Sequence, residues 1–148
     1  MNIIAINQPR DLYLDALLQV WEASVRATHY FLTEEQIVGL RPLVTMGLQG
    51  IPHLYLAFDG EKIAGFMGID GDKLEMLFLA PASFGCGLGR KMLQHGLTQH
   101  HLQYIDVNEQ NLQARGFYEH CGFEVIGRSE LDGQGNPFPI LHLKIKEV

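Results

Sequence analysis

A chain of 148 residues has the length of one average domain, and its 47% hydrophobic against 19% charged residues is the balance of a globular protein rather than a disordered one. The formal net charge of −6, without any basic stripe, disfavours contact with a phosphate backbone and excludes nucleic acid as a primary partner. No apolar run approaches the ~18 residues of a membrane helix and no signal peptide is recognisable, so we expect no membrane partner and a cytoplasmic location.

The first third of the chain alternates between strand and helix patterns. The run NIIAI predicts a strand, and apolar residues at helical spacing over residues 14–25 predict the first helix. Thr33 followed by Gln36 is a capping-box signal for a second helix, which an internal glycine and proline weaken. Because no linker, repeat or charge block interrupts this or the later pattern, we predict a single domain over residues 1–148.

The remaining elements complete a mixed sheet. HLYLAF, KIAGFMGI and KLEMLFLAP are strand-like runs separated by Asp-Gly turn signals, which is typical of an antiparallel meander. A glycine-rich loop then leads into the helical pattern GRKMLQHGLTQHH, and the strand-like run YIDVN follows. EQNLQARGFYEHCG predicts a helix that ends at Gly122, and FEVIGRSEL and PILHLKI predict two closing strands. We therefore predict an α/β (α+β) fold, with a mostly antiparallel sheet of about seven strands and about four helices on its faces.

The glycine-rich loop FGCGLGRKM spans residues 84–92 and has the most distinctive local pattern. Its spacing matches neither the Walker motif nor the dinucleotide fingerprint. Alternate residues without Cβ, directly before a helix, instead allow several backbone N–H groups to converge on one anion at the positive end of the helix dipole. This pattern is compatible with two interpretations: a pyrophosphate site, or a tight turn that only packs the helix on the strand.

Two stretches around this loop form a larger pattern. The first stretch combines an acidic residue, alternating apolar residues, a proline and Gly-x-Gly; it covers residues 74–93, LEMLFLAPASFGCGLGRKML. The second contains Asn, Ala, Phe-Tyr and Gly-Phe; it covers residues 111–123, NLQARGFYEHCGF. In this order the elements resemble the GNAT superfamily of acyl-CoA-dependent N-acetyltransferases. The phrases ATHYFL, VNEQN and GNPFPILHL are similar to its YjaB-type branch of small bacterial acetyltransferases. Phe84 departs from the family pattern, which has Arg or Gln there beside the phosphates.

The resemblance implies acetyl-CoA as co-substrate and no metal. Its pyrophosphate would lie on the glycine loop and its pantetheine arm along the strand that precedes the loop, where a backbone N–H would also face the carbonyl oxygen. Asn111 would contact the arm, with helix capping as its alternative role. The residues assigned to the donor are Leu77, Phe78, Leu79, Gly85, Cys86, Gly87, Leu88, Gly89, Arg90 and Asn111.

The resemblance also implies two catalytic residues. Glu75 would deprotonate the amine through water, and Tyr118 would protonate the departing thiolate. In a regular strand Glu75 shares a face with Leu77 and Leu79, where desolvation would raise the basicity of the carboxylate. The alternatives are a solvated strand carboxylate for Glu75 and a core aromatic residue for Tyr118.

The resemblance implies that the acceptor pocket lies between the first two helices and the last hairpin. Its candidate residues are aromatic, with core packing as their alternative role: Trp21, His29, Phe31 and Phe138. The histidines near the third helix lack metal-ligand spacing, since His95 and His100 are five residues apart, and the two cysteines are too few for a cysteine metal site.

These observations predict an N-acetyltransferase that transfers an acetyl group from acetyl-CoA to a primary amine of a small molecule, peptide or protein. The transfer would be direct, in a ternary complex, by a monomer or homodimer. Two other classes stay open at this point. A non-catalytic acyl-CoA-binding sensor would retain the loop without the catalytic roles, and a nucleotide-binding domain would use the loop for another phosphate ligand.

Overall fold

The computed structural model describes residues 1–6 and 9–147, so the last residue of the predicted domain lies outside the described part. The strands are β1 (Asn2–Ala5), β2 (His53–Asp59), β3 (Lys62–Asp70), β4 (Lys73–Leu79), β5 (Tyr104–Asn108), β6 (Phe123–Ser129) and β7 (Ile140–Ile145). The helices are α1 (Leu14–Thr28), α2 (Glu34–Gly50), α3 (Leu88–His100) and α4 (Leu112–His120).

All seven strands form one sheet in the order β1-β2-β3-β4-β5-β7-β6. Every neighbouring pair is antiparallel except β4 and β5, which are parallel and paired only at Lys73–Tyr104 and Leu74–Ile105. A parallel connection requires a crossover, which α3 supplies here. The predicted fold class, a mostly antiparallel sheet with helices on its faces, is confirmed.

The two faces of the sheet are covered to different extents. The helices α1 and α2 pack over β2, β3 and β4 in a core centred on Leu17, Trp21, Leu48, Leu56 and Phe66. No residue of β5, β6 or β7 belongs to this first core. The helices α3 and α4 pack on the other face, and their core extends across β5 and β7 through Ile105, Val107, Leu141 and Leu143. We call the face of β5, β7 and β6 that α1 and α2 leave uncovered the open half-sheet.

The structure confirms the second helix that the capping-box signal predicted. The Thr33 side chain accepts a hydrogen bond from the Gln36 N–H at 3.2 Å, and Gln36 Oε1 accepts one from the Thr33 N–H at 2.8 Å. The helix continues through the exposed Pro42 because its apolar stripe, with Ile37 and Leu48 buried, is held by the first core. In the part of the chain that the structure describes, no helix combines the length and apolar character needed to cross a bilayer.

Candidate active site

A cleft of about 590 Å³ opens where β4 and β5 separate. The two strands stop pairing after Leu74–Ile105, although β4 continues to Leu79 and β5 to Asn108. Their facing backbone groups beyond this point therefore border the cleft rather than each other. The end of α1, the glycine loop, the start of α3 and α4 complete its walls.

A β-bulge in β4 determines the position of Glu75. Gly68 pairs with Met76 and Ile69 pairs with Leu74, so Glu75 is an extra residue without a partner in β3. The expectation that Glu75 shares a face with Leu77 is wrong, since the bulge breaks the alternation and places Leu74 and Leu77 in the same core. The Glu75 carboxylate, 38% exposed, instead lies 3.6 Å from Lys73 Nζ.

The glycine loop presents a row of unpaired donors to the cleft. Gly85 and Gly87 have φ of +74° and +83°, and Gly87 is the N-cap of α3. Among the described residues, no hydrogen bond uses the N–H groups of residues 85–90, and the first bond of the helix runs from Lys91 N–H to the Gly87 carbonyl at 3.1 Å. Such a row at a helix N-terminus is suited to bind an anion.

The side chains around the loop differ in their access to the cleft. Phe84 and Arg90 line it, as do Leu88 and the three loop glycines. Cys86 is outside the cleft lining, and its thiol donates a hydrogen bond to the Ser83 carbonyl at 2.9 Å. The backbone of Cys86 still contributes an N–H to the row of unpaired donors.

Tyr118 on α4 lies at the cleft and is only 8% exposed. Its ring packs edge-on against Phe117, with centroids 5.1 Å apart, and against Phe123. Burial raises the pKa of Tyr118 well above its usual value, and the neighbouring Cys121 adds to this effect. The phenol therefore keeps its proton across the physiological pH range.

Asn111 lines the cleft at the N-terminus of α4 and has the capping role considered from sequence. Its Oδ1 accepts a hydrogen bond from the Ala114 N–H at 3.1 Å. The amide NH₂ of the same side chain is not needed for the cap and remains a donor. Capping and ligand contact are therefore compatible at this residue.

The four predicted pocket residues occupy three different environments. His29 lines the cleft, whereas Trp21 is buried in the first core and lies outside the lining. Phe31 packs between His29 and Phe138, at centroid distances of 5.4 and 5.6 Å. These three rings join the turn after α1 to the loop between β6 and β7, and Phe31 and Phe138 are outside the cleft lining.

Two polar residues of α1 that sequence reasoning missed also line the cleft. The Thr28 hydroxyl donates to the Ser24 carbonyl at 2.8 Å and lies 2.8 Å from His29 Nδ1. The phrase ATHYFL contains Thr28 and His29, and it was the available signal for this group. Nothing in the sequence of the first helix distinguished Ser24 from the other polar residues of that helix.

A polar chain crosses the open half-sheet from the edge of the cleft. Lys73 Nζ donates to Asp106 Oδ2 at 2.8 Å, Asp106 Oδ1 lies 2.7 Å from His142 Nδ1, and Ser129 Oγ lies 2.7 Å from His142 Nε2. Partial burial raises the pKa of Asp106, but hydrogen bonds from Lys73 and His142, together with their charges, leave it below its usual value. Asp106 and Glu75 both line the cleft, and Lys73, which contacts both carboxylates, neutralises one of the two charges, so this side of the cleft has a rim of one net negative charge.

Comparison with known proteins agrees with this geometry. The chain is 39% identical to peptidyl-lysine N-acetyltransferase YjaB of Escherichia coli, over 95% of this chain and 96% of the relative. The solution structure of apo YjaB matches with a TM-score of 0.88 at 38% identity over the whole of both chains. PaiA N-acetyltransferase from Thermoplasma acidophilum, solved in complex with coenzyme A, matches with a TM-score of 0.69 at 21% identity, over 97% of this chain and 99% of that one.

The family pattern itself spans most of the molecule. Residues 25–139 match the acetyltransferase (GNAT) domain, a range that includes the glycine loop and the cleft-lining residues apart from Ser24. The resemblance found from the sequence motifs is thereby confirmed. The chain belongs to the GNAT acetyltransferase family and is an N-acetyltransferase.

Proposed function

We propose that this enzyme transfers an acetyl group from acetyl-CoA to the side-chain amine of a lysine in a peptide or protein, by direct attack in a ternary complex. The observation that carries the proposal is the cleft between the separated strands, which has the donor row of residues 85–90 in one wall and Tyr118 in another. The lysine acceptor is taken from the name of the relatives that are 39% and 38% identical.

The donor would bind along the cleft in an extended conformation. Its pyrophosphate would accept hydrogen bonds from the N–H groups of residues 85–90, with Arg90 as a charged contact. Its pantetheine arm has amide groups that match the free backbone edges of β4 and β5, and Asn111 would add a side-chain donor. The thioester would then lie beside the β4 backbone at Leu77–Leu79, where an N–H can stabilise the charge on the carbonyl oxygen.

Tyr118 would act as the general acid. The amine nitrogen attacks the thioester carbon, the C–S bond breaks, and the electron pair leaves with sulfur. The sulfur, as it departs with negative charge, takes the proton of the Tyr118 hydroxyl, which burial keeps protonated until that charge develops, and a proton from the acceptor amine replaces it. No hydrogen bond among the described residues uses the Tyr118 hydroxyl, and Arg10 Nε is the sole side-chain nitrogen or oxygen there that is fully buried and unpaired. The Tyr118 proton is therefore available to a ligand in the cleft.

The acceptor would approach from the open half-sheet. Glu75 and Asp106 form the negative rim on that side, and a protonated lysine side chain is attracted to it. His29, whose ring packs against Phe31, lines the same cleft. Two cleft groups, Glu75 and His29, are then candidates to remove the amine proton, and Glu75 is the one derived from the family pattern.

Thiol release with short peptides tests the acceptor. We expect release of CoA thiol with a peptide that contains one lysine and an acetylated N-terminus, and no release when alanine replaces the lysine. Release only with a free N-terminal amine, or only with small amines, would contradict the lysine assignment. Acetyl-CoA binding by calorimetry without release for any amine would instead support the acyl-CoA sensor.

Phe84→Arg tests the place of the pyrophosphate. Phe84 lines the cleft one residue before the row of free N–H groups, so a guanidinium there can reach a phosphate. Because the site is solvent-accessible, we expect acetyl-CoA to bind only about 3- to 10-fold more tightly, measured as Kd by calorimetry. Phe84→Leu separates loss of the ring from gain of charge. Equal Kd values for the Arg and Leu variants would place the phosphates elsewhere.

A further inference from the structure

The hydrogen bonds at the end of α1 determine which nitrogen of His29 carries the proton. Thr28 has one hydroxyl proton, which it donates to the Ser24 carbonyl at 2.8 Å. Its oxygen lies 2.8 Å from His29 Nδ1 and can only accept in that contact. Nδ1 must therefore carry the hydrogen, and neutral His29 has its lone pair on Nε2.

Nε2 is left available by the surrounding residues. No hydrogen bond in residues 1–6 and 9–147 uses this atom, and it is absent from the fully buried unpaired atoms of that part of the chain. The ring is held on two sides, by the Thr28 hydroxyl and by Phe31 at 5.4 Å. A fixed imidazole with one accessible basic nitrogen at the cleft is the arrangement that a general base requires.

Two opposing effects suit His29 to gain and lose a proton. Burial lowers its pKa, which keeps the ring neutral and ready to accept at neutral pH. His29 is also the C-cap of the 15-residue helix α1, where the partial negative charge of the helix end stabilises the imidazolium once it forms. Glu75 differs, since its carboxylate is 38% exposed and paired with Lys73.

We propose that His29 Nε2, rather than the Glu75 carboxylate, accepts the proton that the acceptor amine must lose before attack; this rests on the function proposed above. Of the three protons of a lysine ammonium, one passes to His29 and then to water. A second replaces the proton that Tyr118 gives to the CoA sulfur, and the third stays on the amide product. The role of Glu75 and Asp106 is then to attract the ammonium to the cleft.

The charged surroundings of His29 are compatible with this role. The ionisable groups that line the same cleft are Glu75, Arg90, Asp106 and Tyr118. On the neighbouring turns, Arg26 is already paired with Glu34 and Glu22. Burial lowers the pKa of His29, so the walls that surround the ring govern its titration.

His29→Asn is the decisive variant, because its side-chain amide can replace the Nδ1–H donor to Thr28 but cannot accept a proton. With a lysine peptide, we expect kcat to fall about 100-fold and acetyl-CoA Kd to change by less than about twofold. For the wild type, kcat should fall as the pH drops below the usual pKa of histidine, since the base is then protonated. The variant should lose this acidic limb, and added imidazole should restore part of the rate.

Matched variants identify the base. His53→Asn removes an exposed histidine outside the cleft and should leave kcat and its pH profile unchanged. Glu75→Gln should raise KM for the peptide more than it lowers kcat and should keep the acidic limb. An unchanged limb in His29→Asn, or its loss in Glu75→Gln alone, would overturn the proposal. Wild-type protein that is inactive with every lysine peptide would instead reject the proposed function.

NMR of the wild-type protein gives a second test that no variant can confound. Long-range ¹H–¹⁵N spectra should show His29 protonated at Nδ1 at neutral pH, with a pKa below the usual value of histidine. An Nε2–H tautomer for neutral His29 would overturn the proposal, since the free nitrogen would then have no lone pair to accept a proton.

Discussion

Tyr118→Phe is expected to lower kcat about 100- to 1,000-fold while changing acetyl-CoA Kd by less than about threefold. The phenol is buried at the cleft with its pKa raised, so its only special contribution is a proton that remains available to the leaving thiolate. Removing the hydroxyl keeps the edge-on ring packing with Phe117, and the fold should be unaffected. Steady-state thiol release gives kcat, and calorimetry gives Kd.

A second tyrosine provides the control for this prediction. Tyr30 is 84% exposed and lies outside the cleft, so Tyr30→Phe should leave both constants unchanged. The opposite pattern at Tyr118, weaker acetyl-CoA binding at an unchanged kcat, would make it a binding residue. If an alkyl thioester with a more acidic thiol were used as donor, the defect of Tyr118→Phe should shrink, because a better leaving group needs less help from an acid.

The pair Gly87→Asn and Gly87→Asp should separate geometry from charge at the glycine loop. Gly87 has φ of +83°, and a Cβ added there meets no atom within 4 Å, so both side chains fit apart from backbone strain. Asn tolerates this left-handed conformation, and we expect it to weaken acetyl-CoA binding about 10-fold by crowding the phosphates. Asp has the same shape but repels them, and we expect about a further 30- to 100-fold loss in Kd measured by calorimetry.

Stability measurements keep these two variants interpretable. Both should lose about 1 kcal/mol of unfolding free energy relative to the wild type, since each puts a Cβ at the same strained position. Gly39→Asp is the matched control, because Gly39 is exposed on α2, outside the cleft, and has open space for a Cβ. Equal Kd values for Gly87→Asn and Gly87→Asp would show that no phosphate lies near this residue.

The sequence was sufficient for features that depend on near neighbours. The capping box at Thr33, the order of strand, loop and helix around Gly87, and the N-cap at Asn111 all result from residues within a few positions of each other. The family resemblance and the fold class were recoverable for the same reason. Their motifs are continuous stretches of sequence, and the comparisons confirm both.

The position of Glu75 could not be derived in the same way. KLEMLFLAP reads as a regular alternating strand, and the bulge that inserts Glu75 depends on how β4 fits against Gly68 and Ile69 of β3. One extra residue in a strand moves every preceding side chain to the opposite face of the sheet. A strand pairing that is uncertain by one residue therefore led to a wrong prediction of the surroundings of Glu75.

The acceptor side was the least predictable part for a related reason. His29, Phe31 and Phe138 come from segments about 107 residues apart, and the sequence could identify them as aromatic but not as neighbours. Trp21, with the same chemical character, is in the core. The tautomer of His29 depends on the carbonyl of Ser24, a partner that no side-chain pattern reveals.

The separation of β4 from β5 has a mechanical consequence. Among the described residues, two paired positions join β4 to β5 within the sheet. The other links between the two halves are the Lys73–Asp106 ion pair, the Asp72 carbonyl that accepts from the N–H groups of residues 103 and 104, and the core under α3 and α4. A donor whose amides bridge the open edges would take the place of the missing ladder, as a temporary extra strand. Bound acetyl-CoA would then stabilise the sheet as well as supply the acetyl group. Release of CoA after each turnover would remove these bridging hydrogen bonds and leave the C-terminal half of the sheet more weakly attached. The stability of the sheet would therefore rise when acetyl-CoA binds and fall when CoA leaves.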